Sequence, residues 1–124
     1  MAYDSNNIFA KILRGEIPND TVYEDERVLA FRDIQPQTPV HVLVIPKGEY
    51  ESMDDFAENG SDAEIAAVFR AVASIARDHG VADSGYRLLA NTGADAHQEV
   101  PHFHVHIFGG RRLGRMIRPA RDDD

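Results

Sequence analysis

Three histidines alternate with apolar residues near the end of the chain, in the run 102–108. Strand side chains point alternately to two faces, so the pattern predicts that His102, His104 and His106 share one face. Neighbouring imidazoles on that face would lie about 6.6 to 6.8 Å apart along the strand. The chain has six histidines, and packing alone does not require three of them in this arrangement. The spacing therefore predicts a strand whose one face carries the histidines and whose other face packs into an apolar core.

Two kinds of chemistry suit such a face. A His-x-His pair on a strand can give two neutral imidazoles to one zinc ion, with His41 or a carboxylate as third ligand. However, the first and third imidazoles would be about 13 Å apart at the backbone, too far for both to reach one ion. Alternatively, one neutral ring attacks phosphorus while a neighbouring ring stabilises the phosphate oxygens. We favour phosphate chemistry without a metal or cofactor, and with His104 as nucleophile because only it has an imidazole on each side.

Five runs rich in β-branched residues predict the strands that must position these side chains. They span 21–24, 28–33, 40–45, 86–91 and 102–108. Short turn sequences separate the first three runs, which is typical of an antiparallel meander.

Two helices complete the predicted architecture. Ser5 or Asn6 is expected to cap the first, whose apolar face carries Ile8, Phe9, Ile12 and Leu13. Ser61 and Glu64 have the spacing of a capping box, and apolar residues three and four apart predict a helix over 62–79. The segment 49–60 is expected to be a loop or a short helical turn. Without regular βαβ alternation, these elements indicate an α+β fold: a five-stranded antiparallel sheet with two helices.

Length and composition limit the classes of protein that the chain can represent. Its 124 residues suit a single domain, 1–124, with a core over 8–110 and an Arg-rich tail over 111–124. The net charge of −8 argues against general nucleic-acid or membrane binding. The absence of cysteine excludes thiolate and disulfide chemistry. With no secretory signal at the N-terminus, we expect a cytoplasmic protein.

Several motifs resemble those of the histidine-triad (HIT) superfamily of nucleotide hydrolases and transferases. The run 102–108 resembles its signature, in which three histidines alternate with apolar residues. Further segments resemble the Hint branch in order and spacing, namely 8–18, 30–39, 41–47, 89–93 and 98–100. The resemblance spans 8–110. It implies a HIT-like fold and a homodimer in which the sheet continues from one subunit into the other.

The resemblance also implies a reaction on a purine nucleotide. The central histidine of the triad corresponds to His104, which would attack the α-phosphorus and release an amine or another leaving group. Water would then hydrolyse the nucleotidyl-histidine to a nucleoside monophosphate. His41 resembles the fourth histidine of the family and is expected against His102 or His106. His106 would orient His104 or contact phosphate, and His102 would act near the phosphate oxygens or the leaving group.

The resemblance extends to residues that would bind the nucleotide. Asp33 resembles the acceptor of hydrogen bonds from the ribose hydroxyls, a task suited to a carboxylate. Asn91 resembles a polar residue near the phosphates, and Gln98 and Glu99 lie in the matching loop. Plain core packing would equally explain the apolar residues that resemble the base pocket, which are Ile8, Phe9, Phe31, Ile34 and Leu43.

Two positions depart from the family pattern. Glu99 stands where animal Hint proteins have a serine near the leaving group, and a carboxylate could donate a proton there only if its pKa were raised. His97 stands where those proteins usually have glycine, and it can be read as an exposed loop residue or as a neighbour of the leaving group.

The leading hypothesis is a purine nucleoside phosphoramidase, or adenylyl-amine hydrolase. Hydrolysis of dinucleoside polyphosphates, as in the Fhit branch, is the near alternative. A metal-binding protein or a nucleotide-binding protein without catalysis is the alternative from another class.

Overall fold

The predicted strands form one antiparallel sheet in the computed structural model, which describes residues 2–117. The strands are β1 (Thr21–Glu24), β2 (Val28–Arg32), β3 (Val40–Pro46), β4 (Tyr86–Leu89) and β5 (Val105–Gly109). Their order across the sheet is β1-β2-β3-β5-β4. The α+β class and the five-stranded antiparallel sheet are confirmed. Strands β3 and β5 lie side by side within the sheet, where both faces can be covered.

The sheet is covered by apolar side chains on both faces. On one face, Val42 and Val44 of β3 pack in a cluster with helix α3 (Asp62–Asp78), which contributes Val68, Val72 and Ile75. On the other face, Leu43 and Ile45 pack in a second cluster with helix α1 (Ile8–Leu13), which contributes Phe9 and Ile12. Because side chains alternate along a strand, β3 contributes to both clusters, and the histidines of β3 and β5 lie on the α1 side.

The helix starts follow from side-chain caps. Asn7, rather than the expected Ser5 or Asn6, caps α1, because its side-chain oxygen accepts from the backbone N–H of Ala10 at 2.8 Å. The capping box of α3 is confirmed, with Ser61 and Glu64 each accepting from the other's backbone N–H. The helix ends at Asp78, one residue before the expected end.

The structure adds a third helix to the two expected, α2 (Met53–Asn59). The side chain of Ser52 caps it by accepting from the backbone N–H of Asp55, and Asp54 and Asp55 lie in its first turn, where negative charge is favourable. Only Phe56 is buried. Because a helix with a single buried residue shows no apolar periodicity, the sequence predicts only a loop or a short helical turn in this segment.

The histidine strand begins three residues later than predicted, at Val105 instead of residue 102. Continuing the β3–β5 register from Val44↔Val105 would place Phe103 opposite Pro46. Proline has no N–H to donate to a ladder, and the N–H of Phe103 instead donates to the carbonyl of Tyr50 at 2.7 Å. The side chains still alternate, since Phe103, like Val105, lies in the α3-side cluster. Strand β4 is also shorter than predicted and ends at Leu89.

The start of the Arg-rich tail contacts the side chain of Arg87 on β4. Arg87 donates through Nη2 to the carbonyls of Gly114 at 2.5 Å and Arg115 at 3.3 Å. Arg118 and Arg121, which belong to the same predicted tail, lie outside the described residues. Within residues 2–117, no helix combines the length and apolarity needed to cross a membrane.

Candidate active site

A cavity of about 580 Å³ opens on the α1 side of the sheet and contains His104 and His106. This is within the usual range for small-molecule sites. One part of its wall consists of the predicted apolar residues Ile8, Phe9, Phe31, Ile34 and Leu43, and another of the polar residues Asp33, Asn91, His97 and Glu99. A larger cavity of about 870 Å³ lies at the end of α3 beside Arg87. It contains none of the triad histidines, so we place the candidate active site in the smaller one.

His104 is held in one tautomer by the backbone. Its Nδ1 lies 2.7 Å from the carbonyl oxygen of His102, and a carbonyl can only accept, so Nδ1 donates and carries the proton. Nε2 is therefore the nitrogen with the free lone pair. The ring is nearly buried and packs edge-on against Phe9, with ring centroids 4.9 Å apart. Burial lowers the pKa of His104, which favours the neutral and hence nucleophilic form.

A series of hydrogen bonds places the proton of His106 on Nε2, the nitrogen that is unprotonated in His104. The backbone N–H of Gln37 donates to Nδ1 of His41 at 3.1 Å, so Nε2 of His41 carries the proton. That N–H donates to Nδ1 of His106 at 2.9 Å. Nε2 of His106 must then carry a proton as well. His106 is thus a neutral hydrogen-bond donor, next to His104 with ring centroids 5.1 Å apart.

Burial also decides the charge state of this pair. It lowers the pKa of His106 to about 4, with the nearby His104 and His41 acting in the same direction. Burial likewise lowers the pKa of His41, while the carboxylate of Asp33 opposes the change. Both rings are therefore uncharged at neutral pH, and their polarity comes from oriented N–H groups.

His102 differs from the expectation that it would act beside the phosphate. The ring is fully buried, its Nε2 donates to the carbonyl of Pro46 at 2.8 Å, and its Nδ1 lies 2.5 Å from the hydroxyl of Tyr3. With both nitrogens occupied, the side chain has no group left for a ligand. Burial lowers the pKa of His102 to about 4. What His102 offers His104 is its backbone carbonyl.

The other predicted polar residues follow strands β2 and β4 in the chain. Asp33 follows β2 and lies with Oδ2 at 3.4 Å from Nε2 of His41, while Oδ1 accepts from the N–H of Gln35 at 2.8 Å. Asn91, which follows β4 in the sequence, lines the cavity. Gln98 does not line it, and its amide instead holds the loop together through the N–H of Gly93 and the carbonyl of Glu51.

His97 and Glu99 form a pair at the wall of the cavity. Nε2 of His97 lies 3.1 Å from Oε1 of Glu99, and both side chains are exposed. His97 is the one non-glycine residue with positive φ in the described part of the chain, at 60°. This backbone conformation favours glycine, and it costs a histidine of the order of 1 kcal/mol.

Asp33, His41 and His106 are also the one group within residues 2–117 whose side chains could jointly hold a metal, with ligand atoms within 4.8 Å of one another. The 2.9 Å between Nε2 of His41 and Nδ1 of His106 is a hydrogen-bond distance. Two nitrogens at 2.0 to 2.1 Å from a tetrahedral zinc would be about 3.3 Å apart. A shared proton therefore fits this pair better than a shared ion.

Sequence reasoning missed the groups that fix the tautomers. The N–H of Gln37 and the carbonyls of Pro46 and His102 are backbone atoms, which no side-chain pattern reveals. Tyr3 lies 99 residues from its partner His102 in the sequence, and no motif links the two positions.

The sheet order, the α1-side cavity and the cluster of four histidines define a protein of the histidine-triad class. A HIT domain matches residues 14–113. The chain is 62% identical over 115 residues to a HIT-like protein of Azospirillum brasilense, covering 93% of this chain and 94% of that protein. It is 46% identical over 110 residues to the purine nucleoside phosphoramidase of Escherichia coli, covering 89% and 92%.

A solved structure gives the same result. The HIT family hydrolase of Clostridium thermocellum superposes with a TM-score of 0.84 at 41% identity, over 93% of this chain and 99% of that one. The chain belongs to the HIT family, and it is a hydrolase of that family.

Proposed function

We propose that the protein is a purine nucleoside phosphoramidase, or adenylyl-amine hydrolase, that acts through a nucleotidyl-His104 intermediate. The observation that carries the proposal is the tautomer of His104, which leaves an unprotonated Nε2 in a cavity beside the N–H of His106. The activity named for the Escherichia coli relative agrees with it.

The reaction divides into two displacements at phosphorus. Nε2 of His104 forms a bond to the α-phosphorus while the phosphorus–nitrogen bond breaks, and the departing amine takes up a proton from solvent. Water then attacks the same phosphorus and releases a proton to solvent, the bond to Nε2 breaks, and a nucleoside monophosphate leaves. Covalent catalysis of this kind replaces one difficult step with two easier ones.

His106 and His41 stabilise the charge that develops during both steps. The Nε2–H of His106 donates to a non-bridging oxygen of the phosphate, and the Nε2–H of His41 holds the His106 ring from behind. Donors that are already oriented need no reorganisation during the reaction. His102 has a positioning role in this scheme, since both of its ring nitrogens are bonded within the protein.

The rest of the cavity provides for the nucleoside. The base packs among Phe9, Phe31 and Leu43, with Ile8 and the exposed Ile34 at the entrance. Asp33 has its carboxylate beside His41 and accepts from the ribose hydroxyls. Asn91 and Glu99 contact the phosphate and leaving-group side, with Gln98 supporting their loop.

The homodimer stays a prediction that the shape of the sheet supports. Within residues 2–117, strand β4 is the outermost strand on its side of the sheet, and Tyr86 and Leu88 on it are exposed. A sheet edge with exposed apolar side chains favours pairing with a second copy.

Steady-state kinetics on adenosine 5′-phosphoramidate and on diadenosine tri- and tetraphosphate test the proposed substrate class. We expect kcat/KM for the phosphoramidate to be at least about a hundredfold higher, in line with the activity named for the Escherichia coli relative. A preference for the polyphosphates would instead establish the Fhit-like activity. Saturable AMP binding without turnover of any of the three compounds would establish a binding protein.

A further inference from the structure

A tyrosine near the start of the chain contacts the buried first histidine of the triad. The hydroxyl of Tyr3 lies 2.5 Å from Nδ1 of His102, and its ring meets the imidazole edge-on with centroids 5.6 Å apart. Nε2 of His102 donates to the carbonyl of Pro46 at 2.8 Å. Since that carbonyl can only accept, Nδ1 of His102 has no proton and must accept as well. The Tyr3 hydroxyl is therefore the donor.

The residues between Tyr3 and α1 are held by several hydrogen bonds. The backbone N–H and the side-chain amide of Asn7 both donate to the carbonyl of Asp4, at 3.2 and 2.7 Å. Arg14 donates to the carbonyl of Ser5 at 2.8 Å. Asn7 is also the cap of α1, whose Phe9 packs against His104. The segment that carries Tyr3 is thus attached to the same helix that forms one wall of the cavity.

We propose that Tyr3 is a positioning residue for the reaction: it holds the ring of His102, and with it the backbone carbonyl that orients His104. The proposal rests on the proposed function of His104 as nucleophile. Three links connect the hydroxyl to the reacting atom. Tyr3 donates to Nδ1 of His102, the His102 carbonyl accepts from Nδ1 of His104, and the lone pair of His104 is then on Nε2.

Loss of the hydroxyl would leave a fully buried acceptor on His102 without a partner. An unpaired buried polar atom is unfavourable, because it loses its hydrogen bond to water and gains none in the protein. The ring could relieve this by moving its proton to Nδ1, but Nε2 and the Pro46 carbonyl would then face each other as two acceptors. Either outcome displaces the backbone at residue 102, and a displacement of about 1 Å at a reacting group can lower a rate by up to about a hundredfold.

The two partners keep the protonation that this contact needs. Burial raises the pKa of Tyr3, so the hydroxyl retains its proton above neutral pH. Burial lowers the pKa of His102 to about 4, so Nδ1 stays free to accept at neutral pH. The contact is therefore present at neutral pH, where His104 is also neutral.

The test compares Tyr3→Phe with the matched control Tyr23→Phe. Tyr23 lies on strand β1, and its hydroxyl donates to Asp25 at 2.8 Å. The control variant therefore also removes a hydrogen-bonded hydroxyl, but one that has no contact with the triad. We expect Tyr3→Phe to lower kcat for adenosine 5′-phosphoramidate about tenfold with KM within about twofold of the wild type. Tyr23→Phe is expected to leave both constants within about twofold.

A second measurement reads the tautomers without activity. In ¹⁵N NMR spectra of labelled protein at neutral pH, His102 should show the Nε2–H tautomer in the wild type and in Tyr23→Phe. Tyr3→Phe should lose this single pattern. Unchanged kcat and unchanged spectra in folded Tyr3→Phe would overturn the proposal, as would a rise in KM alone or equal losses in both variants. A wild type that hydrolyses no phosphoramidate would refute the proposed function, and the spectra would still decide whether Tyr3 fixes His102.

Discussion

The variant His104→Ala should lose nearly all turnover while it still binds nucleotide. We expect kcat for adenosine 5′-phosphoramidate to fall by about 10³-fold or more, because the covalent route through Nε2 disappears. The base and ribose contacts proposed for Phe31, Leu43 and Asp33 stay in place. AMP affinity measured by calorimetry should therefore change by no more than about threefold.

The matched control for this variant is His79→Ala. His79 caps the end of α3 and lies outside the cavity that is lined by His104 and His106. The His79→Ala variant also removes a hydrogen bond of an imidazole, between Nδ1 of His79 and the carbonyl of Ile75 at 2.9 Å. Its turnover should stay within about twofold of the wild type. His104→Ala protein that binds AMP normally and retains more than about a tenth of wild-type kcat would refute the nucleophile assignment.

The second large effect is expected at His106. Replacement by alanine removes the N–H that we place against the phosphate oxygens, and loss of one such donor lowers kcat by about 10²- to 10³-fold. The donor matters most as charge develops in the transition state, so KM should change by less than about threefold. His106→Gln returns an N–H donor to the same position and should recover part of the lost rate.

Kinetic constants of the two His106 variants separate this role from simple binding. A rise in KM with kcat unchanged would show that His106 binds the ground state and has no special role in the transition state. Equal losses in His106→Ala and His106→Gln would show that the imidazole itself, and not its N–H, is needed. Thermal unfolding of both variants checks that the packing of the ring against Phe108, at 5.5 Å between centroids, is not the cause.

The sequence predicted most of the sheet because its strands have strong local signals. Strand β1 has its predicted bounds, and β2 and β3 each differ by one residue at the end. Helix α3 combines a capping box with apolar residues at regular spacing. In contrast, α2 is short and has one buried residue, so its local pattern was too weak to separate it from a turn.

The start of β5 could not be predicted from the alternation of histidines. Alternation describes which face of the sheet a side chain occupies. A strand also needs a neighbouring strand whose backbone N–H groups are free to donate. Pro46 at the end of β3 lacks one. His102 and His104 therefore precede the ladder, and this lets the backbone carbonyl of His102 accept from the His104 ring.

The candidate site was predictable in its residues and not in their connections. His104, His106 and Asp33 line one cavity, and His41 contacts His106, one of the two neighbours that the sequence left open. The separate roles of the histidines depend on which ring nitrogen of each carries the proton. Backbone groups of Gln37, Pro46 and His102 determine these tautomers. Such contacts exist only after the chain has folded, so residue types and spacing cannot indicate them.

The covalent intermediate itself tests this account most directly. Wild-type protein mixed with adenosine 5′-phosphoramidate, quenched within one turnover and digested under alkaline conditions can be analysed by peptide mass spectrometry. We predict an adenylyl group on His104 that forms and decays fast enough to account for kcat. An adenylyl group on a different side chain, or turnover without any adduct at all sampled times, would contradict the mechanism.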